Sequence, residues 1–240
     1  SHSRADFEEG YKDARAAKIQ NISVDLMFGI PGQTKESLSA TLDTLLSHPI
    51  THLSAYGLQW EEGTPLGNAP QPMEEAAEEA LWQLLCQKAK EAGLEHYEIS
   101  NFCMPGLHSR HNSSYWTGKK YLGCGPSAHS FNGVSRQWNV ASLEGYIKGV
   151  EEGELDYEVE ELDFYTRYND YVLTSIRTCW GMSLSKLRSE FGEELYRYCM
   201  RMAKPHEDQG VLENREGVLR LTRKGIFVSD GIMSDLMWVN

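Results

Sequence analysis

His111, Asn112, Tyr115 and Trp116 fall together in the stretch HNSSYW, residues 111–116. A histidine offers an imidazole nitrogen to a metal or a proton, and large aromatics offer flat apolar walls. Turns ordinarily favour Gly, Pro, Asn, Asp and Ser, so aromatics in a short turn call for a cover. Two readings stand side by side. In one, Tyr115 and Trp116 anchor the segment to the protein's own core and His111 caps a neighbour. In the other, the segment faces a flat ligand. Haem would take His111 as an axial donor to iron, Tyr115 and Trp116 as walls, and Asn112 as a hydrogen-bond partner that orients the imidazole.

Asp25 is the second candidate. It lies in NISVDLMFGIPGQT (21–34), inside an otherwise apolar run. A buried carboxylate costs energy unless something pairs with it. Asp25 is read either as half of a salt bridge or turn cap, or as a ligand contact at a strand end, to a ribose hydroxyl or an amino group. GIPGQT lacks the Gly-Lys-Ser/Thr ending of a phosphate loop and reads as a strand-to-helix turn. In GCGPSAHS (123–130), Gly123 and Gly125 either open space or shape a turn, and His129 is either a ligand contact or a structural residue. The five cysteines are Cys86, Cys103, Cys124, Cys179 and Cys199. They form no C-x-x-C pair. Such a scattered set fits reduced thiols, and an iron–sulfur cluster held by this chain alone is not expected.

The elements that must position these residues follow from periodicity. A helix is predicted over about 6–18. Ile22, Val24 and Leu26 alternate and lead into the Gly-Pro-Gly turn as a buried strand. Thr34 caps a helix whose apolar face is Leu38, Leu42, Leu45 and Leu46. Residues 51–59 form the next strand. A long helix starts near Pro72 and ends at Gly93, with acidic residues early and Lys88 and Lys90 late, as the helix dipole prefers. Residues 95–100 form a third strand. This rhythm predicts an α/β fold of parallel βα units, with ligands beyond the carboxyl ends of the strands. After residue 150 an acidic connector, EEGELDYEVEELD, precedes helices near 162–177, 183–190 and 193–208. A hairpin over 211–221 and a helix capped by Thr222 complete a winged-helix arrangement. The predicted domains are 1–150 and 151–240.

Composition narrows the function. A net charge of -12 over 240 residues argues against nucleic acid as a partner. The basic residues of the C-terminal region, Arg188 and Arg197 among them, are offset by Glu190, Glu193 and Glu194. No apolar run approaches the roughly 20 residues that span a bilayer. The first residues read as neither secretory signal nor transit peptide, so a cytoplasmic location is the default expectation.

Several segments then match one family in order and spacing: NISVDLMFGIPGQT, HLSAYGL, GTPL, HYEISNF, HNSSYW and YLGCGPSAHSF, followed by IRTCWGMSLSKLRSEFG and LRLTRKGIFVSDGIMSDL. Together they resemble the radical S-adenosylmethionine family of oxygen-independent coproporphyrinogen III oxidases, and within it the haem-chaperone branch. The resemblance implies an incomplete (β/α)6 barrel, its C-terminal part, followed by the winged-helix-like domain. It implies that Asp25 contacts S-adenosylmethionine. It implies that His111, Asn112, Tyr115 and Trp116 bind haem, with His111 at the iron. The family's C-x-x-x-C-x-x-C motif for a [4Fe-4S] cluster has no counterpart here, nor has its Gly-rich motif for the methionine amino group. The expectation is a piece of a longer parent that carries the cluster, inactive by itself as an enzyme. The parent would deliver haem to an unidentified acceptor protein. Alternatively, it would convert two propionates of coproporphyrinogen III to vinyl groups. An open barrel edge invites pairing, so a homodimer through that edge is expected.

Overall fold

The computed structural model describes residues 3–59, 63–64 and 73–239. Pro72, expected near a helix start, and Pro65 and Leu66 of the GTPL motif lie outside the described residues. The chain divides into two compact units, Ser1–Ser109 and Arg110–Asn240. Among the described residues no helix is long and apolar enough to cross a membrane.

The first unit runs α1 (Arg4–Ala16), β1 (Ser23–Phe28), α2 (Lys35–Leu46), β2 (His52–Gly57), α3 (Glu75–Glu91), β3 (Glu95–Glu98) and β4 (Asn101–Cys103). Local chemistry sets the helix ends. Thr34 accepts from the Ser37 amide and the Ser37 side chain returns to the Thr34 amide, a reciprocal cap. Gly29 and Gly32 take φ of +75° and +76° in the turn after β1, where a side chain would be strained. The Gln33 side chain accepts from the Gly29 amide at 2.8 Å, so this turn is tied to itself.

The four strands lie in the order β1-β2-β4-β3. β1 and β2 pair in parallel, as the sequence predicts. The stretch 95–100, expected as one more parallel strand, instead splits. β3 folds back through residues 99 and 100 onto β4, which runs antiparallel to both β2 and β3. The pairing register shifts between His96 and Glu98, a bulge that bends the strand.

Strand alternation divides this sheet into two faces. Leu26, Phe28, Leu53, Ala55 and Phe102 are buried on one face. α2 and α3 supply the remaining core with Leu38, Leu42, Leu81 and Leu85, all at most 2% exposed. Burying each such leucine contributes roughly 1.5–3 kcal/mol. The opposite face is polar.

The second unit contains α4 (Arg110–Trp116), β5 (His129–Phe131), β6 (Ser135–Asn139), α5 (Leu143–Glu152), β7 (Tyr157–Glu161) and α6 (Phe164–Ile176). It continues with β8 (Met182–Ser183), α7 (Leu184–Asp208), β9 (Leu212–Arg215), β10 (Val218–Leu221), α8 (Arg223–Phe227) and α9 (Ser229–Leu236). Two differences from the sequence reading stand out. HNSSYW is not a turn but the body of helix α4. The acidic connector contains strand β7, paired antiparallel with β6. Its glutamates are tolerated because every β7 residue is exposed.

The winged-helix elements follow the prediction. α7 breaks at Gly192, whose φ of 78° and ψ of 177° leave the helix, so two helices meet there. The hairpin β9–β10 turns through Glu216 and Gly217, both at positive φ, and Thr222 caps α8. β8 adds to its edge in the order β8-β10-β9. The chain end is strapped to this core. The Tyr168 hydroxyl donates to the Leu236 carbonyl at 2.8 Å and the Tyr198 hydroxyl to the Met237 carbonyl at 2.7 Å. The Asn169 side chain donates to the Trp238 carbonyl and accepts from its amide.

Gly225 of α8 passes close to the preceding chain. A Cβ there would lie 1.8 Å from the Val211 carbonyl oxygen. Gly225→Ala should therefore destabilise the protein by about 1–3 kcal/mol through overpacking, measured as a lower urea midpoint.

Candidate functional site

Pairing register assembles the polar face of the first unit. Asp25 pairs with Ser54, Ser54 with Asn101, and Asn101 with Glu98, so these four form one row across the sheet. Next to it, Ser23 pairs with His52 and His52 with Cys103. On the other side Met27 pairs with Tyr56.

The His52 imidazole is held at both nitrogens, by the Ser23 hydroxyl at 2.9 Å and the Tyr97 hydroxyl at 2.8 Å. Tyr97 reaches this face because the bulge re-aims it. Its hydroxyl also accepts from the Ser109 amide at 3.3 Å. Burial holds the His52 pKa below the ordinary imidazole range; the Asp25 charge pulls it up, and His108 pushes it down further. Burial pushes the Tyr97 phenol up to about 12. Glu98 is 2% exposed and accepts from the Asn101 side chain at 2.6 Å and the Ser100 amide at 3.1 Å.

Asp25 departs from its expected setting. It is exposed rather than buried, because it falls on the polar side of the β1 alternation. Among the described residues it joins no ion pair with Lys or Arg. A salt bridge therefore does not account for it, and its carboxylate is open to a ligand.

The second unit holds the histidine-aromatic segment. In α4 the i,i+4 spacing stacks His111 and Tyr115 on one side. Their rings meet edge to face at 5.1 Å, and the Tyr115 hydroxyl lies 3.2 Å from His111 Nε2. Tyr115 continues to Tyr121 at 4.8 Å, and Tyr121 to Phe131 at 6.0 Å. The Arg177 guanidinium lies 4.1 Å over the Trp116 ring. Trp116 Nε1 is buried with no hydrogen-bond partner. The imidazole of His111 is exposed, and Asn112, Tyr115 and Trp116 are half-buried.

Behind Tyr115 and Trp116 opens a cavity of about 860 Å³, also bordered by Tyr121, Phe131, Tyr171 and Phe191. Arg136, Arg167 and Lys186 stand on its walls. Arg136 pairs with Asp170 at 2.5 Å and Glu160 at 3.6 Å. The volume sits within the roughly 300–1,000 Å³ range of small-molecule sites. Asp170 and Glu190 line the cavity too, Glu190 lying 4.0 Å from Lys186, and the aromatic walls suit a flat apolar ring system such as that of haem. The residues present therefore fit haem.

Comparison with known proteins shows what the whole chain is similar to. The family described as HemN C-terminal domain matches residues 165–228. The haem chaperone HemW of Bacillus subtilis is 31% identical over 232 residues, covering 93% of this chain and 61% of that protein. HemW of Mycobacterium tuberculosis is 30% identical, covering 94% of this chain and 57% of that protein. The chain thus spans about three fifths of the length of the curated relatives it matches. Coproporphyrinogen III oxidase (HemN) from Escherichia coli, a radical SAM enzyme, superposes with a TM-score of 0.78 at 17% identity, covering 99% of this chain and 59% of that one.

The chain is similar to the HemW and HemN proteins of the radical SAM family.

For a HemW/HemN-like chain the expected site residues fall in two groups. Asp25 lies in the first unit, and His111, Asn112, Tyr115 and Trp116 share α4 in the second. The hydroxyl at the imidazole is that of Tyr115. Gly123 is required by close packing, since a Cβ there would lie 2.2 Å from the His129 carbonyl oxygen. His129 stacks on Trp138 at 5.6 Å. The five thiols are dispersed: Cys86, Cys103 and Cys199 are buried, Cys124 and Cys179 exposed. They do not fit a four-iron cluster. Among the described residues no group of three or more His, Cys, Asp or Glu is placed to hold a metal ion.

Sequence reasoning places Asn101, in the SNF of 100–102, at a ligand-binding strand end; it missed Glu98 as a member of the polar face, and Arg136 and Arg167 as cavity walls. Glu98 left a trace: a carboxylate inside HYEISNF, in a stretch otherwise rich in β-formers. The arginines left none, since only the fold brings them to the cavity.

Linkage gives a test of the His52 network. Its folded-state pKa is depressed, so as pH falls the unfolded chain takes up the proton first. The contribution of His52 is present above its unfolded pKa, about 6.5, and is lost as pH falls through the folded value. Between pH 7 and 5 the urea midpoint of wild type should fall more steeply than that of His52→Gln.

Proposed function

We propose that this chain is the haem-handling portion of a haem chaperone of the radical SAM superfamily, binding haem and delivering it to an acceptor protein. One observation carries the reading: α4 presents an exposed imidazole hydrogen-bonded to Tyr115, and Tyr115 and Trp116 of the same helix border an aromatic cavity. His111 would donate to the iron. Tyr115 and Trp116 would face the macrocycle, and Asn112 would support the segment from the same helix. Arg167, on the cavity wall, would face a propionate. In this reading haem is cargo.

S-adenosylmethionine and a [4Fe-4S] cluster belong to the parent protein in this proposal. Asp25 would contact the adenosyl cofactor, which supplies radical chemistry when bound to a cluster. The domain reading is retained as part of the proposal, with residues 1–150 as the barrel part and 151–240 as the winged-helix-like part. Pairing through the free edge of β1 and a cytoplasmic location complete it. Coproporphyrinogen III oxidation stands second, supported by likeness of fold. The names of the two HemW relatives, at 31% and 30% identity, favour the chaperone.

Haem titration followed by Soret absorbance tests the reading. Wild type should bind, His111→Ala should bind at least about tenfold more weakly, and Tyr115→Phe should lose less. Equal binding by wild type and His111→Ala would remove His111 from the site.

A further inference from the structure

Strand β7 buries none of its residues: all five, Tyr157–Glu161, are exposed. It is the last strand of the sheet β5-β6-β7. At the other end of that sheet Tyr121 closes the edge, exchanging backbone hydrogen bonds with Phe131 at 3.0 and 2.9 Å. On the β6 side of β7, the Leu162 amide donates to the Val134 carbonyl and the Val140 amide to the Asp156 carbonyl, both at 3.0 Å. Antiparallel ladders alternate, so Glu158 and Glu160 bond to β6 in the same way, opposite Trp138 and Arg136. Tyr157, Val159 and Glu161 therefore turn their amides and carbonyls outward. Among the described residues those outward groups have no backbone partner.

Side chains and charge select what this edge accepts. Tyr157 and Val159, 51% and 49% exposed, share one face of the strand, and Glu158 and Glu160 share the other. Glu160 lies 3.6 Å from Arg136, whereas Glu158 and Glu161 join no ion pair among the described residues. α5, which leads from β6 towards β7, adds Leu143, Ile147 and Val150 at i, i+4 and i+7, each about half exposed. The segment EEGELDYEVEELD has acids at eight of its 13 positions and no Lys or Arg. A second copy paired antiparallel about Val159 would set Glu158 against Glu160 of the other copy, and like charges directly opposite destabilise a ladder. The glutamates thus guard the edge against self-pairing, and the same charge admits a basic strand.

We propose that β7 is a docking edge for an extended segment of another protein, one in which Lys or Arg alternates with apolar residues. The incoming backbone completes the outward bonds of Tyr157, Val159 and Glu161. Its basic side chains meet Glu158 and Glu160, and its apolar ones meet Tyr157 and Val159. Docked there, the segment lies two strand spacings, about 10 Å, from β6, whose Arg136 borders the aromatic cavity. Neither Glu158 nor Val159 borders that cavity, so docking does not require haem.

Fluorescence anisotropy tests this on the full chain, with a labelled peptide that alternates Lys and Val. Wild type should bind it at least about tenfold more tightly than a peptide of the same composition with its lysines and valines in two blocks. Val159→Pro removes an amide that faces outward and spares the ladder to β6. It should weaken binding about tenfold, and Glu158→Lys should weaken it about fivefold. Thermal unfolding reports whether Val159→Pro folds; if it does not, Glu158→Lys decides. Failure of wild type to bind the alternating peptide, equal binding of the two peptides, or wild-type affinity in Glu158→Lys or in a folded Val159→Pro would overturn the proposal. So would a wild-type dimer, seen by sedimentation, that a folded Val159→Pro disperses, because the occupant would then be a second copy.

Discussion

The pairing register of one small sheet governs the chemistry of the first unit. Because strand side chains alternate, the face that packs on α2 and α3 must be apolar, and the other face inherits every polar residue between. A slip of one residue in β2 would send His52 and Ser54 into the leucine core and bring Leu53 out. The buried leucines therefore hold Asp25, Ser54, Asn101 and Glu98 in line. Burial chemistry on one side fixes binding chemistry on the other.

The second unit uses helical spacing to the same end. Four residues separate His111 from Tyr115, one turn of α4, and that spacing brings hydroxyl and imidazole within hydrogen-bond reach. The next residue, Trp116, points elsewhere on the helix and lies beneath the Arg177 guanidinium. One short helix thus serves two functions. It presents a ring nitrogen outward, and it supplies part of a cavity wall.

Much of this is legible in the residues alone. Thr34 and Thr222 announce helix starts, Gly217 a hairpin and Gly192 a break, because each is a local choice that backbone sterics enforce. The α/β character and the winged-helix order follow from periodicity. What stays hidden is non-local or depends on one register step. Asp25 looks buried because its neighbours in sequence are apolar, but a strand sends neighbours to opposite faces. HNSSYW looks like a turn because its asparagine and serines favour turns, yet packing of α4 on α6 makes it helical. β7 is masked by its glutamates, which a strand exposed along its length accepts. The bulge before Glu98 has no sequence signature, although it decides where Tyr97 points.

The strap at residues 236–238 has a kinetic meaning. Its hydrogen bonds to α6 join groups 68 and 69 positions apart along the chain. Closing so long a loop costs entropy before any contact repays it. During synthesis α6 leaves the ribosome well ahead of the segment that clasps it. Until then the Tyr168 hydroxyl and the Asn169 amide must satisfy themselves with water, and the helices they sit on wait, half-assembled, for that segment to arrive.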